Sequence, residues 1–198
     1  MLRLSLILLA AWAVLAAQAA PLTVELRDGG GLPLAEGVVF LESATARREV
    51  RPLAQAEMGQ AGKQFVPAVL VVTVGTAVDF PNRDTVRHHV YSFSPTKKFE
   101  LKLYIGTPAK PVVFDQAGIA VLGCNIHDQM VGWIVVVETP YHARTGADGR
   151  AVIDVPPGSY RLRSWHPGLP AGAAAQDQAL TVGGAAQSVT VRLQGVRP

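Results

Sequence analysis

Apolar and polar residues alternate along most of the chain in short runs, which Gly, Pro, Asn and Asp separate. Examples are LTVEL, HHVYSFS, IAVLG, GWIVVVE and YRLRSW. Runs of this length with a period of two, bounded by turn residues, are typical of strands in a β-sandwich or barrel. A doubly wound α/β fold would need helical stretches between the strands, and the pattern offers none. The sequence therefore predicts an all-β fold.

The first apolar stretch, LSLILLAAWAVLAA, has a different character. Arg3 precedes it, and small residues close it at Ala17-Gln18-Ala19, which is the pattern of a secretory signal with an A-x-A cleavage site. The alternative interpretation is a membrane anchor, but the run is short for a span and polar sequence follows at once. We expect a signal peptide over residues 1–19, cleaved after Ala19, and a periplasmic or secreted mature protein without a transmembrane segment.

The remaining chain divides into a central block and two flanks. The flanks resemble the two halves of a carboxypeptidase-regulatory-like (transthyretin-type) β-sandwich, in which a "D-x-x-G-x-P-L" turn precedes "T-x-x-D-G" and "P-P-G-x-Y" turns. The matching residues are Asp28, Gly31, Leu32, Pro33 and Leu34, then Thr145, Asp148, Gly149, Pro156, Pro157, Gly158 and Tyr160. We predict a sandwich formed by residues 20–50 and 141–198, with residues 51–140 inserted as a second domain at an exposed loop. Three pieces in series, or one larger sandwich, are the alternatives.

The net charge and the cysteine content limit the possible partners and the possible roles of the thiol. The 18 basic and 15 acidic residues leave a formal net charge of +3, too small to indicate nucleic acid as a partner. Cys124 is the single cysteine, and an exported chain meets an oxidising compartment. A lone thiol there is a buried inert group, half of an intermolecular disulfide, or a metal-bound thiolate.

The neighbours of Cys124 favour metal. In CNIHDQM, His127 and Met130 follow it at intervals of three residues, and PNRDTVRHHVYSF offers His88 and His89 upstream. Thiolate and thioether sulfurs favour Cu(I), while imidazole accepts both oxidation states. Two histidines, a cysteine and a methionine in an all-β exported protein indicate a blue-copper site.

At these residues the central block resembles the cupredoxins. The upstream family pattern fits Phe65, Pro67, Leu70, Val72, Gly75, Val78, Phe80, Asn82, Asp84 and His88, and the downstream pattern fits Phe114, Gly118, Cys124, His127 and Met130. The resemblance implies a Greek-key β-sandwich holding one type 1 copper through His88, Cys124, His127 and Met130, with the short C-x-x-H-x-x-M spacing of amicyanin. Asn82 and His89 are expected to support these ligands. The family usually has Asn where His89 stands, and the side chain of that Asn ties the two copper loops together by a hydrogen bond. His89 therefore either replaces that hydrogen bond or competes with His88 as the ligand.

The resemblance implies a carrier of single electrons, and the amicyanin-type loop points to a dehydrogenase or c-type cytochrome as its redox partner. Four protein ligands would leave no open position for a substrate, which argues against an enzyme. A copper-delivery module, or a binding protein with a non-redox copper site, is the alternative function. His142 and His166 lie far along the chain from these ligands, and we expect both to be structural.

Overall fold

The computed structural model describes residues 19–197. The expected signal peptide lies outside these residues except for Ala19. The described part is almost entirely β, as predicted, and its longest helix has six residues. In residues 19–197, no helix is long and apolar enough to cross a bilayer.

The strands fall into three consecutive groups along the chain. The first contains β1 (Ala20–Arg27) and β2 (Val38–Glu42), followed by the helix α1 (Ala44–Glu49). The central group is β3 (Gly59–Ala61), β4 (Gln64–Val66), β5 (Val69–Thr73), β6 (Thr76–Val78), β7 (His88–Ser94), β8 (Lys97–Tyr104), β9 (Val112–Phe114), β10 (Gly118–Gly123) and β11 (Val131–Val137). The last group is β12 (His142–Arg144), β13 (Arg150–Val155), β14 (Gly158–Trp165), β15 (Gln176–Val182) and β16 (Gln187–Arg192).

Strands from the two ends of the chain share sheets. A three-stranded sheet has the order β13-β1-β16, and a four-stranded sheet has the order β12-β2-β14-β15. Along β1 the buried positions alternate at Ala20, Leu22, Val24 and Leu26, as expected of a strand with one face toward a core. The flanks therefore form one set of paired strands around a common core.

The turns of the two flanks also meet. The Asp28 carboxylate accepts the backbone N–H of Leu32 at 2.8 Å, and Gly31 between them takes a positive φ of 92°. From the other flank, the Gly149 carbonyl accepts the N–H of Leu26 at 2.8 Å. Gly149 has a φ of 76°, and a Cβ there would lie 2.7 Å from the Leu26 carbonyl oxygen. Glycine is therefore required where the two flanks approach each other.

The central group forms a five-stranded sheet of order β5-β11-β10-β7-β8, with two small pairs, β3-β4 and β6-β9. A second core joins the sheet to these pairs. Its buried members include Met58, Phe65, Val72, Val78, Phe80, Phe114 and Ile134. Two of the candidate ligands, Cys124 and Met130, are themselves members of this core.

The strand β11 is buried on both faces. Ile134 and Val136 belong to the central core, whereas Val135 and Val137 belong to the flank core. The ring of Trp133 lies 6.2 Å from that of Trp165 in β14. Burial on both faces explains why β11 is a continuous apolar run rather than an alternating one. The division at residues 50 and 140 stays a prediction, since β11 and β5 each contribute to both cores, β5 through Val69 in the flank core and Val72 in the central core.

Candidate metal centre

His88 opens β7 at the end of a loop that side chains hold in place. The Asn82 amide donates to the carbonyls of Val86 and Tyr104, both at 2.9 Å. Its side-chain oxygen accepts the N–H of Asp84 at 3.0 Å. Asn82 is 5% exposed and His88 is fully buried. Asn82 therefore shapes the loop that delivers His88, rather than contacting the cluster itself.

Cys124 and Met130 lie at the two ends of the short connection between β10 and β11. The connection is tight, because the N–H of Met130 donates to the carbonyl of His127 at 2.9 Å. Cys124 is 3% exposed and Met130 is 1% exposed, and both pack in the central core. His127, between them, stays half-buried. Folding thus leaves two sulfur side chains inside and one imidazole at the surface.

Three of the predicted ligands come together. The Cys124 sulfur lies 4.0 Å from Nδ1 of His88 and 3.9 Å from Nδ1 of His127. The two imidazole rings are 5.0 Å apart between centroids and meet nearly edge to face. In trigonal geometry, ligand atoms about 2.0–2.3 Å from one ion lie about 3.5 Å from each other. The His–Cys–His set therefore fits a single metal ion with little movement, and its donor chemistry suits copper.

Met130 is the fourth predicted ligand. It is buried in the same hydrophobic core as Cys124, six positions further along the chain. Its role as the fourth ligand stays a prediction.

His89 points away from Cys124. Successive residues of a strand face opposite sides of the sheet, and Nε2 of His89 pairs with the Glu100 carboxylate on β8 at 2.8 Å. Its ring lies 5.6 Å from that of Tyr91. The structure therefore puts His88, and not His89, beside the thiol, and no bond from His89 to the cysteine loop replaces the family's usual asparagine.

Asp84 matches the family pattern in the sequence, but that pattern alone assigns it no role at the site. Its Oδ2 lies 2.7 Å from Nε2 of His88, and its carboxylate accepts the N–H groups of Gly62 at 2.7 Å and Lys63 at 2.9 Å. The hydrogen bond with His88, followed by that from Lys63, lowers the pKa of Asp84 below its ordinary value. Its place four residues before His88 was visible in the sequence, but the side-chain contact depends on the loop conformation.

The two histidines of the flanks lie outside the cluster. Burial lowers the pKa of His142 on β12. In the turn after β14, His166 faces the Ala35 carbonyl through Nε2 at 2.9 Å and accepts the N–H of Gly168 on Nδ1 at 3.0 Å. These contacts give His166 a local structural role.

No protein-family model matches the chain, and no curated protein matches it significantly. Among solved structures, the chain is similar to a Cu-containing nitrite reductase (NirK) from Thermus scotoductus SA-01, with 27% identity and a TM-score of 0.40. That match covers 44% of this chain and 23% of the reductase, so the chain spans less than a quarter of the reductase's length. A purple cupredoxin from Nitrosopumilus maritimus has 24% identity and a TM-score of 0.38, over 42% of this chain and all of that one. A reduced Cu(I) form of an amicyanin variant has 24% identity and a TM-score of 0.38, over 50% of this chain and 98% of that one.

The all-β fold and the His–Cys–His cluster support the cupredoxin resemblance of the central block. The resemblance of the flanks to a carboxypeptidase-regulatory-like sandwich stays a prediction.

Proposed function

We propose that the central block holds one copper ion through His88, Cys124, His127 and Met130, and that the protein carries single electrons between redox partners. The observation that carries this proposal is the buried Cys124 sulfur, which faces the Nδ1 atoms of two imidazoles at 3.9–4.0 Å. A buried thiol with an inert structural role would have no need of two imidazole nitrogens aimed at it. The cluster favours the metal-bound thiolate among the three possibilities for a lone exported cysteine.

The protein holds the proposed ligands in fixed positions. His88 is held by the loop hydrogen bonds of Asn82, while Cys124 and Met130 are packed in the core. A bound copper would supply one-electron chemistry by alternating between Cu(II) and Cu(I). Ligands that are fixed in place suit both oxidation states without rearrangement, which favours electron transfer over a reaction on a bound substrate. We accordingly propose that the chain is not an enzyme.

His127 is the ligand nearest solvent. Ile126 beside it is 46% exposed and Val86 in the His88 loop is 42% exposed, so apolar side chains are available on the loops that carry the two histidines. A small apolar contact suits a brief redox encounter. By resemblance to the amicyanin type, we propose a dehydrogenase or c-type cytochrome as the partner and the periplasm as the location.

The test is the colour of the copper-loaded mature protein. We expect one equivalent of Cu(II) to give an intense visible band from thiolate-to-copper charge transfer. Cys124→Ser should abolish this band while the far-ultraviolet circular dichroism of a β-protein remains. His142→Asn is the matched control, since His142 lies in the flank, and it should keep the band. A coloured Cys124→Ser protein would overturn the assignment. Copper binding without an intense band in the unmodified protein would favour the delivery or non-redox alternative.

A further inference from the structure

The buried His88 ring has a partner on each nitrogen. Nδ1 faces the Cys124 sulfur at 4.0 Å, and Nε2 faces the Asp84 carboxylate at 2.7 Å. A neutral imidazole carries one N–H, and an ionised carboxylate can only accept. The proton of His88 therefore belongs on Nε2, which leaves the lone pair of Nδ1 directed at the cluster.

The carboxylate of Asp84 is itself fixed. Two successive backbone N–H groups, from Gly62 and Lys63, donate to it at 2.7 and 2.9 Å. These residues form the two-residue turn between β3 and β4, and both have positive φ, 60° and 58°, as a type I′ hairpin turn requires. Consecutive N–H groups in such a turn make a concave site for an anion. The hairpin turn holds Asp84 as a carboxylate against His88.

The neighbouring histidine offers a natural comparison. His89 also pairs with a carboxylate through Nε2, that of Glu100 at 2.8 Å, but on the opposite side of β7 from Cys124. The two pairs match in chemistry and distance and differ in whether the histidine faces the cluster.

We propose that Asp84 is a positioning residue for the metal centre: it selects the Nε2–H form of His88 and strengthens Nδ1 as an electron donor. A carboxylate on the far nitrogen of a ligating imidazole fixes the tautomer and raises ligand basicity. Its negative charge favours Cu(II) over Cu(I) and so lowers the reduction potential. The effect on copper rests on the proposed function, whereas the selection of the tautomer does not.

The tautomer is tested on the metal-free mature protein by ¹⁵N NMR of the histidine side chains at pH 8. We expect the Nε2–H form for His88 in the unmodified protein and a mixture of tautomers in Asp84→Ala. An unchanged Nε2–H signature in Asp84→Ala, or an Nδ1–H form in the unmodified protein, would overturn the selection. Asp84→Asn keeps a side-chain oxygen for the hairpin N–H groups, so it supplies a folded variant if Asp84→Ala does not fold.

The influence on copper is tested by spectroelectrochemistry and Cu(II) titration of the loaded protein. We expect Asp84→Asn to weaken Cu(II) binding about 10–100-fold, as loss of such partners does in other metal sites. If Cu(I) binding is unaffected, each tenfold loss raises the potential by about 59 mV. Asp84→Glu, which keeps the charge, should lie closer to the unmodified protein, and Glu100→Gln should change neither quantity. An equal shift in Glu100→Gln, or none in Asp84→Asn, would refute the proposal, whereas an unmodified protein without the visible band would instead refute the proposed function.

Discussion

Thr145 provides a quantitative test of how the two flanks hold together. It lies in the "T-x-x-D-G" turn and is 2% exposed. Its hydroxyl donates to the Leu34 carbonyl at 2.5 Å and accepts the N–H of Gly37 at 2.9 Å. Both partners are buried and lie more than 100 positions earlier in the chain. One hydroxyl thus joins the turn before β2 in the first flank to the start of the second flank.

Replacing Thr145 by Val removes the hydroxyl while nearly conserving the volume, so the cavity contribution is small. The Leu34 carbonyl and the Gly37 N–H would then lie buried without that partner. Each unsatisfied group costs about 1–3 kcal/mol, which gives an expected loss of about 3 kcal/mol in the free energy of unfolding. Thr145→Ser keeps the hydroxyl and removes one methyl group, for an expected loss of about 1 kcal/mol.

The assay is equilibrium unfolding in urea, followed by circular dichroism and tryptophan fluorescence, with the two variants measured beside the unmodified protein. We expect the free energy of unfolding of Thr145→Val to lie well below that of Thr145→Ser. The dependence of this free energy on urea concentration should be similar for both variants and the unmodified protein. If Thr145→Val loses no more stability than Thr145→Ser, the hydrogen bonds across the flanks do not stabilise the fold as argued.

Three further outcomes are expected. Met130→Gln should keep the copper and lower its reduction potential, because an amide oxygen is a harder donor than a thioether; a raised or unchanged potential by voltammetry would count against an axial Met130. His89→Asn should retain the visible band, since His89 contacts Glu100 and not the thiol; loss of the band there, with retention in His88→Ala, would show that the wrong histidine was chosen. Burial is the main cause that lowers the pKa of His166 below its ordinary value of 6.5. The unfolded chain then binds more protons, so this residue's contribution to stability is present above about pH 6.5 and is lost as the pH falls toward the folded-state pKa. His166→Asn should therefore flatten the decline in urea stability between pH 7 and pH 5.5, and an unchanged slope would exclude the contribution.

Periodicity located most strands because their apolar positions are easily seen, but it missed β8. The segment KKFELKLY alternates, with Lys98, Glu100 and Lys102 exposed while Phe99 and Leu101 pack against the central core. In the sequence the lysines of this segment indicate a charged surface, and for that reason the segment was not recognised as a strand. β8 lies at the edge of the five-stranded sheet, where outward charges are a common defence against edge-to-edge pairing.

The candidate cluster was accessible from the sequence because Cys124 and His127 lie on one short loop. The family pattern favoured His88 over His89, whereas alternation alone puts the two on opposite faces of β7 without saying which face carries Cys124. The role of Asp84 could not be predicted either. It depends on a hairpin turn more than twenty positions earlier, whose backbone N–H groups meet the carboxylate only after folding.

The flanks also pack against β11, the strand that follows the loop of the candidate centre. The loop with Cys124 and His127 ends at β11, whose Val135 and Val137 are buried in the flank core. If the central block were a self-sufficient insert, these side chains would face water, and β11 would be expected to alternate as β1 does. Its continuous apolar sequence instead matches a strand held from both sides. We therefore interpret the flanks as part of the support that keeps the loop in place, which agrees with the proposed copper site, whose ligands would have to stay fixed during electron transfer.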